Sequence, residues 1–240
     1  MMKMGMEEIK GQDNMRAMLA EGLATFSFVF LGTGAVVSTL KVSGAAGVGA
    51  AGVAAIALAH GLAILLLVAA FGRISGAHIN PAVTFAAFLT GRIGMAKGLA
   101  YVIFQLVGGV VASLVLKTLI PNNQEMGLGR HALGTGISPG AGFGIEIVLT
   151  FFLVWVVLSV AMDKRGPGFP IAPVAIGLVV LVDHLVGVPL TGASMNPARS
   201  FGPALVTKVW TDHWVYWLGP LAGAAIAAVL YTLINGKEKT

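Results

Sequence analysis
Ser75-Gly76-Ala77-His78-Ile79-Asn80-Pro81-Ala82 returns, class for class, as Thr191-Gly192-Ala193-Ser194-Met195-Asn196-Pro197-Ala198, about half a chain later. Asn is a favoured N-cap and Pro a favoured first helical residue, so each Asn-Pro pair opens a helix whose unpaired N–H groups point back along the chain. The apolar stretches that follow, 83–89 and 199–206, would reach only about 12 Å, under half of a hydrocarbon core of roughly 30 Å. They read as half-helices.

The chain around them is that of a polytopic membrane protein. Of its 240 residues 57% are hydrophobic and 10% charged, with a mean hydropathy of +0.89, well beyond soluble domains. Six stretches are long and apolar enough to span a bilayer: 18–40, 48–71, 99–120, 144–162, 171–188 and 214–234. The polar first residues carry neither the apolar run nor the cleavage site of a signal peptide. With six spans both termini share one side, which holds Lys3, Lys10, Arg16, Arg73, Arg92, Lys97, Lys164, Arg165, Lys237 and Lys239, ten of the fifteen Lys and Arg. The positive-inside rule makes that side cytoplasmic and the chain a multi-pass protein of the cell membrane. The net charge of +5 is scattered over membrane-flanking loops, which argues for contact with anionic lipid and against nucleic acid. The chain has no Cys, which excludes disulfides and thiolate metal sites.

The two halves share more than the short motif. Ala20-Glu21-Gly22-Leu23-Ala24-Thr25-Phe26 parallels Ile145-Glu146-Ile147-Val148-Leu149-Thr150-Phe151, and Gln105-x-x-Gly108 parallels Pro220-x-x-Gly223. Each repeat covers three spans and one half-helix. Three is odd, so the second copy starts on the opposite side of the membrane and is inverted. The half-helices then enter from opposite faces and meet by their N-termini near the midplane, each end carrying about half a positive charge. Non-helical backbone at that depth belongs where it is buried or lines a water-filled cavity, so 76–79 and 192–195 offer carbonyl acceptors along a pore.

Two Asn-Pro-Ala motifs, an Arg after the second, and an inverted repeat marked by Glu-x-x-x-Thr-Phe closely resemble the aquaporin family of membrane channels, over about residues 20–234. The resemblance implies an all-α membrane protein of six tilted helices and two re-entrant half-helices, assembled as a homotetramer with one pore per subunit. It divides the chain into a cytoplasmic segment 1–17, one channel domain 18–234 (repeats about 18–120 and 143–234) and a tail 235–240. The motif residues Asn80, Pro81, Ala82, Asn196, Pro197 and Ala198 would lie at the pore centre, the Asn side chains capping their helices and donating NH₂ groups to passing water. Counting from the motifs puts the narrowest point at His60, His184, Ala193 and Arg199. Glu21 and Glu146, intramembrane carboxylates whose default reading is proton or ion coupling, would instead accept hydrogen bonds from the re-entrant loops.

Water is the expected permeant. Ser200 and Ala204 after Arg199, His184 itself, and Tyr216-Trp217 resemble the water-selective pattern, whereas glycerol-conducting relatives have a small residue at the His184 corner. His60 departs from it, because water-selective members usually carry Phe there. Plant vacuolar members share that His, and some pass ammonia with help from a further His in the long extracellular loop. His131 occupies that loop here, 122–141, either as a filter accessory that admits ammonia or as a solvated loop residue. His78 would brace its own loop. Asp183 would either orient His184 or face water. Passive conduction requires no cofactor, metal or catalytic residue, and neither His-Glu-x-x-His nor Gly-x-Ser-x-Gly occurs. A secondary transporter, the main rival, would need a carboxylate cluster for a coupling ion, and the spans offer only Glu21, Glu146 and Asp183.

Overall fold
The computed structural model describes residues 11–120 and 127–236. Residues 1–10 and 237–240, with Lys3, Lys10, Lys237 and Lys239, and the start of the 122–141 loop lie outside the described residues. The described residues form eight α-helices and no strand: α1 (Gln12–Ser43), α2 (Ala50–Ser75), α3 (Pro81–Leu89), α4 (Met95–Leu119), α5 (Pro139–Val157), α6 (Ala172–Gly187), α7 (Pro197–Thr207) and α8 (Val215–Asn235). Five of them are long and apolar enough to cross a membrane.

The remaining expected span, 171–188, forms a helix shorter than its apolar run. α6 has 16 residues, because the N–H groups of Leu190, Thr191 and Gly192 converge on the Gly187 carbonyl at 3.0, 2.9 and 3.1 Å and end the helix. At the far end of α5 the ladder loosens into a π turn, Leu158–Met162, a departure common beside functional sites.

α3 and α7 are the half-helices. Asn80 and Asn196 cap them in extended conformation, each with its side-chain oxygen on the N–H two residues on (2.8 and 3.0 Å), and Pro follows as the first helical residue. Nine and eleven residues long, they reach about 14–17 Å, half a bilayer each.

Packing follows the repeat. α1 lies on α2 and α4 as α5 lies on α6 and α8; α3 docks on α8 and α7 on α4, each half-helix against the other repeat. α2 and α6 are each other's counterparts and cross at Gly61 and Gly177. A Cβ on either would stand 2.7 Å from the other's carbonyl oxygen, so two glycines set this crossing, as small residues do between membrane helices.

Candidate functional site
Each re-entrant loop is strained in the same register. Ala77 and Ile79 in the first loop, Ala193 and Met195 in the second, hold positive φ (48°, 57°, 60° and 51°), at a cost of about 1–3 kcal/mol each. The alternation turns successive N–H groups to one side, where a buried carboxylate meets them. Glu21 accepts from His78 N (2.9 Å), Ile79 N (2.7 Å), Ser75 Oγ (2.6 Å) and Gln105 Nε2 (2.8 Å). Glu146 accepts from Ser194 N (2.9 Å), Met195 N (2.8 Å) and Thr191 Oγ1 (2.6 Å). Both are fully buried, and hydrogen bonds to an ionised acceptor are the strong ones.

The loops meet through the motif asparagines. Asn80 Nδ2 donates to the Met195 carbonyl (2.8 Å), and Asn196 Nδ2 donates to the Ile79 carbonyl (2.9 Å). One proton of each NH₂ is thereby spent across the junction, leaving one for a solute, and these two carbonyls are already engaged as acceptors. A cavity of about 110 Å³ runs past the junction, enough for a handful of waters and too small for a drug-sized ligand. Phe28, Val68, Val83, Leu153, Val157 and Ile176 are among its apolar walls, Asn80, Asn196 and His78 among its polar ones, Met162 lies at one end and His184 at the other.

Of the four residues counted to the narrowest point, His60, His184 and Arg199 come together at that end. His60 and His184 stack with ring centroids 4.2 Å apart. The Arg199 guanidinium reaches His60 Nε2 (3.4 Å) and donates to the Gly129 carbonyl (2.6 Å). Ala193 is fully buried against Gly187, in the last turn of the helix that carries His184, where an added Cβ would stand 2.8 Å from its own. Nδ1 of each stacked histidine faces a backbone carbonyl, Ile56 O and Val180 O, both at 2.8 Å. A carbonyl only accepts, so Nδ1 carries the proton and Nε2 is the acceptor in each neutral ring. Nε2 of His184 and Nε of Arg199 have no hydrogen-bond partner. Arg199 is 2% exposed, a charge that costs several kcal/mol to bury and that repels cations.

His131 is no solvated loop residue: it is 7% exposed, its Nδ1 lies 2.8 Å from Ser200 Oγ and its ring rests on Tyr216 at 5.1 Å. Burial, with Arg199 nearby, holds it well below the usual histidine range. Ser200 Oγ also lies 2.6 Å from Ser194 Oγ, so His131 is tied to the second motif beside Arg199 without touching Arg199 in a hydrogen bond. Asp183 neither orients His184 nor faces water. His184 Nδ1 is taken by Val180, while Asp183 is 4% exposed with Oδ2 unpartnered. His78 does brace its loop, Nδ1 at 3.1 Å from Thr84 Oγ1 and the ring against Tyr101.

Two contributors had no role in the sequence reading. Gln105 appeared there as a repeat marker, although a buried amide opposite a Pro in the other half signals a bond that only one half makes. The Gly129 carbonyl is backbone in a loop and left no sequence signal.

The profile of the Major intrinsic protein family matches residues 8–231. Aquaporin TIP1-2 of Zea mays is 46% identical over 228 residues, 95% of this chain and 89% of that protein. Probable aquaporin TIP3-2 of Arabidopsis thaliana is 47% identical over 231 residues, 94% and 85% of the two chains. Among solved structures, that of the aquaglyceroporin from Plasmodium falciparum superposes with a TM-score of 0.81 at 24% identity, covering 92% of this chain and 97% of that one, a likeness of fold.

Proposed function
This chain belongs to the major intrinsic protein family, and from that membership we propose which solutes its pore passes and which residues select them. The protein is a multi-pass membrane channel that conducts water passively. Its selectivity filter is formed by His60, His184, Ala193 and Arg199. The observation that carries this reading is the closed contact at the cavity's end: two imidazoles stacked at 4.2 Å with a buried guanidinium 3.4 Å from one of them. A water molecule has a donor for the unpartnered Nε2 of His184 and a lone pair for the unpartnered Nε of Arg199; a glycerol backbone finds no apolar wall there and no room.

Protons are excluded at the motif junction. Asn80 and Asn196 each keep one N–H for the solute. A water accepting from both turns its hydrogens outward, and the facing half-helix dipoles oppose any positive charge. Glu21 and Glu146 hold the loops and carry no coupling ion. No catalytic group, metal or cofactor takes part. The molecule is a homotetramer of the cell membrane with one pore per subunit and both termini cytoplasmic; the exposed Leu58, Leu62 and Leu66 of α2 suit lipid or a neighbouring subunit.

Ammonia is the second permeant this filter favours, on a specific observation. His131 is buried beside the filter with Nε2 unpartnered, so acceptors gather where an N–H donor would pass. Stopped-flow light scattering of proteoliposomes under sorbitol and glycerol gradients, with an ammonium step read by internal pH, tests both readings. Water flux well above empty liposomes with glycerol at baseline supports the filter. Ammonia flux that exceeds baseline and falls in His131→Ala supports the second solute, and no acceleration of water refutes an open channel.

A further inference from the structure
The two groups that hold the Arg199 guanidinium both rest on one turn of α1 that contributes no side chain to the filter. His60 Nε2 is lodged against Gly32: a methyl group on Gly32 would stand 2.5 Å from Nε2, 2.7 Å from Cδ2 and 3.2 Å from Cε1 of the ring. The two contacts below 3 Å are closer than real Cβ atoms approach, so the imidazole occupies the space a side chain would fill. Phe28, one turn earlier on α1, meets the same ring edge-on at 5.7 Å, and the Nδ1 bond to Ile56 fixes its rotation. Gly129, whose carbonyl takes the other guanidinium nitrogen, lies against the next residue. A Cβ on Gly129 would stand 2.9 Å from the Thr33 carbonyl oxygen and 3.1 Å from Thr33 Cα.

We propose that the Gly32–Thr33 turn of α1 positions the filter: Gly32 seats His60 away from the lumen, Thr33 seats the Gly129 backbone, and together they set where Arg199 sits and how wide the opening is. The proposal rests on the filter reading above. Filling the Gly32 notch has one mobile consequence. Helix backbone on both sides cannot retreat, so the His60 ring must swing, and the space beside it is bounded by His184 at a centroid distance of 4.2 Å. The aperture narrows and the guanidinium loses its acceptor. A residue outside the pore wall thus determines which solutes the pore admits.

A double-mutant cycle on permeability tests this in the full chain: wild type, Gly32→Ala, His60→Ala and the double variant in proteoliposomes, with water, glycerol and ammonium read in parallel. His60→Ala should raise glycerol permeability at least threefold. Gly32→Ala should lower water permeability at least fivefold, and the double variant should match His60→Ala within twofold, because the methyl then meets no ring. Equal losses from Gly32→Ala in both backgrounds, or none in either, would overturn the proposal. Should Gly32→Ala fail to reach the membrane folded, rescue by His60→Ala supports the seat, while failure of both marks Gly32 as a helix-packing residue and ends the proposal. A His60→Ala channel with unchanged solute range instead overturns the filter reading itself.

Discussion

Glu146→Gln separates a structural carboxylate from a coupling one. Three donors converge on Glu146, Thr191 Oγ1 at 2.6 Å, Met195 N at 2.8 Å and Ser194 N at 2.9 Å. A carboxylate offers about four lone-pair sites on two oxygens, and an amide oxygen about two, so Gln leaves at least one donor facing its own NH₂. Exchanging charge-assisted bonds for neutral ones and orphaning one buried N–H costs about 3–5 kcal/mol together. The strained Ala193 and Met195 lose the group that holds them in their left-handed conformation. At about 1.4 kcal/mol per factor of ten, the ordered loop is disfavoured on the order of 10²- to 10³-fold. Stopped-flow shrinkage of proteoliposomes should show water permeability down at least tenfold, with the glycerol-to-water ratio no higher than wild type, and thermal unfolding in detergent should move down by several degrees. If Glu146→Gln keeps wild-type water flux and melting temperature while only a pH dependence of transport disappears, the carboxylate is a coupling site and the reasoning fails.

Three further outcomes are expected. His184→Ala removes one face of the stacked pair at the cavity's end, so glycerol flux should rise at least threefold while water flux stays within threefold; unchanged glycerol exclusion would remove His184 from the filter. The chain has no Cys, so mercurials should leave conduction unchanged, whereas Ala193→Cys, at the buried position proposed as a corner of the filter, should create inhibition that thiol reductants reverse. Outside the membrane, Arg165 holds Asp163 below the usual carboxylate range through bonds of 2.9 and 2.6 Å, aided by Tyr231 at 2.8 Å. A depressed folded pKa stabilises the protein above the unfolded value near about 3.9, and the effect is lost as pH falls through the lower folded value. Wild type should therefore melt evenly from pH 5 to 8 and lose stability only below about 4, and Asp163→Asn should melt lower at pH 7 with a flatter acid limb.

Much of the architecture was legible because its signals are local. Asn-Pro caps a helix wherever it occurs, and a run too short to span a bilayer declares a half-helix by length alone, so α3 and α7 could be read from residues 80–89 and 196–206. The shared Glu-x-x-x-Thr-Phe pattern fixed the repeat, and its oddness the inversion. What could not be read depends on contacts between segments far apart in sequence. The end of α6 at Gly187 is set by three N–H groups beyond it, where apolarity continues. Whether His131 meets water or Ser200 is decided by how a loop folds over α7, and whether Asp183 is exposed by the face of α6 on which it falls. Neither leaves a mark in composition or spacing.

The inverted repeat builds both halves of the pore from the same parts, so selectivity must arise where equivalent positions differ. The two motif asparagines are 116 positions apart, 80 and 196, and so are the crossing glycines 61 and 177. The same offset carries His60 onto Ile176, His184 onto Val68, Ala193 onto Ala77 and Arg199 onto Val83. All four of those counterparts line the cavity. The position set that holds two stacked imidazoles and a guanidinium in one half is therefore an aliphatic wall in the other. The supports differ in the same sense. Glu21 gains a bond from Gln105, whereas the residue that matches Gln105 in the second repeat is Pro220, whose side chain has no N–H to give, and Thr84 is met by His78 where Ser200 is met by Ser194 and by His131 from the loop. In the proposed filter a solute would give up most of its hydration once, at the polar end, against an imidazole acceptor and a guanidinium that replace it. It would then meet walls too apolar to bind it, so that the proposed filter would discriminate without holding its cargo.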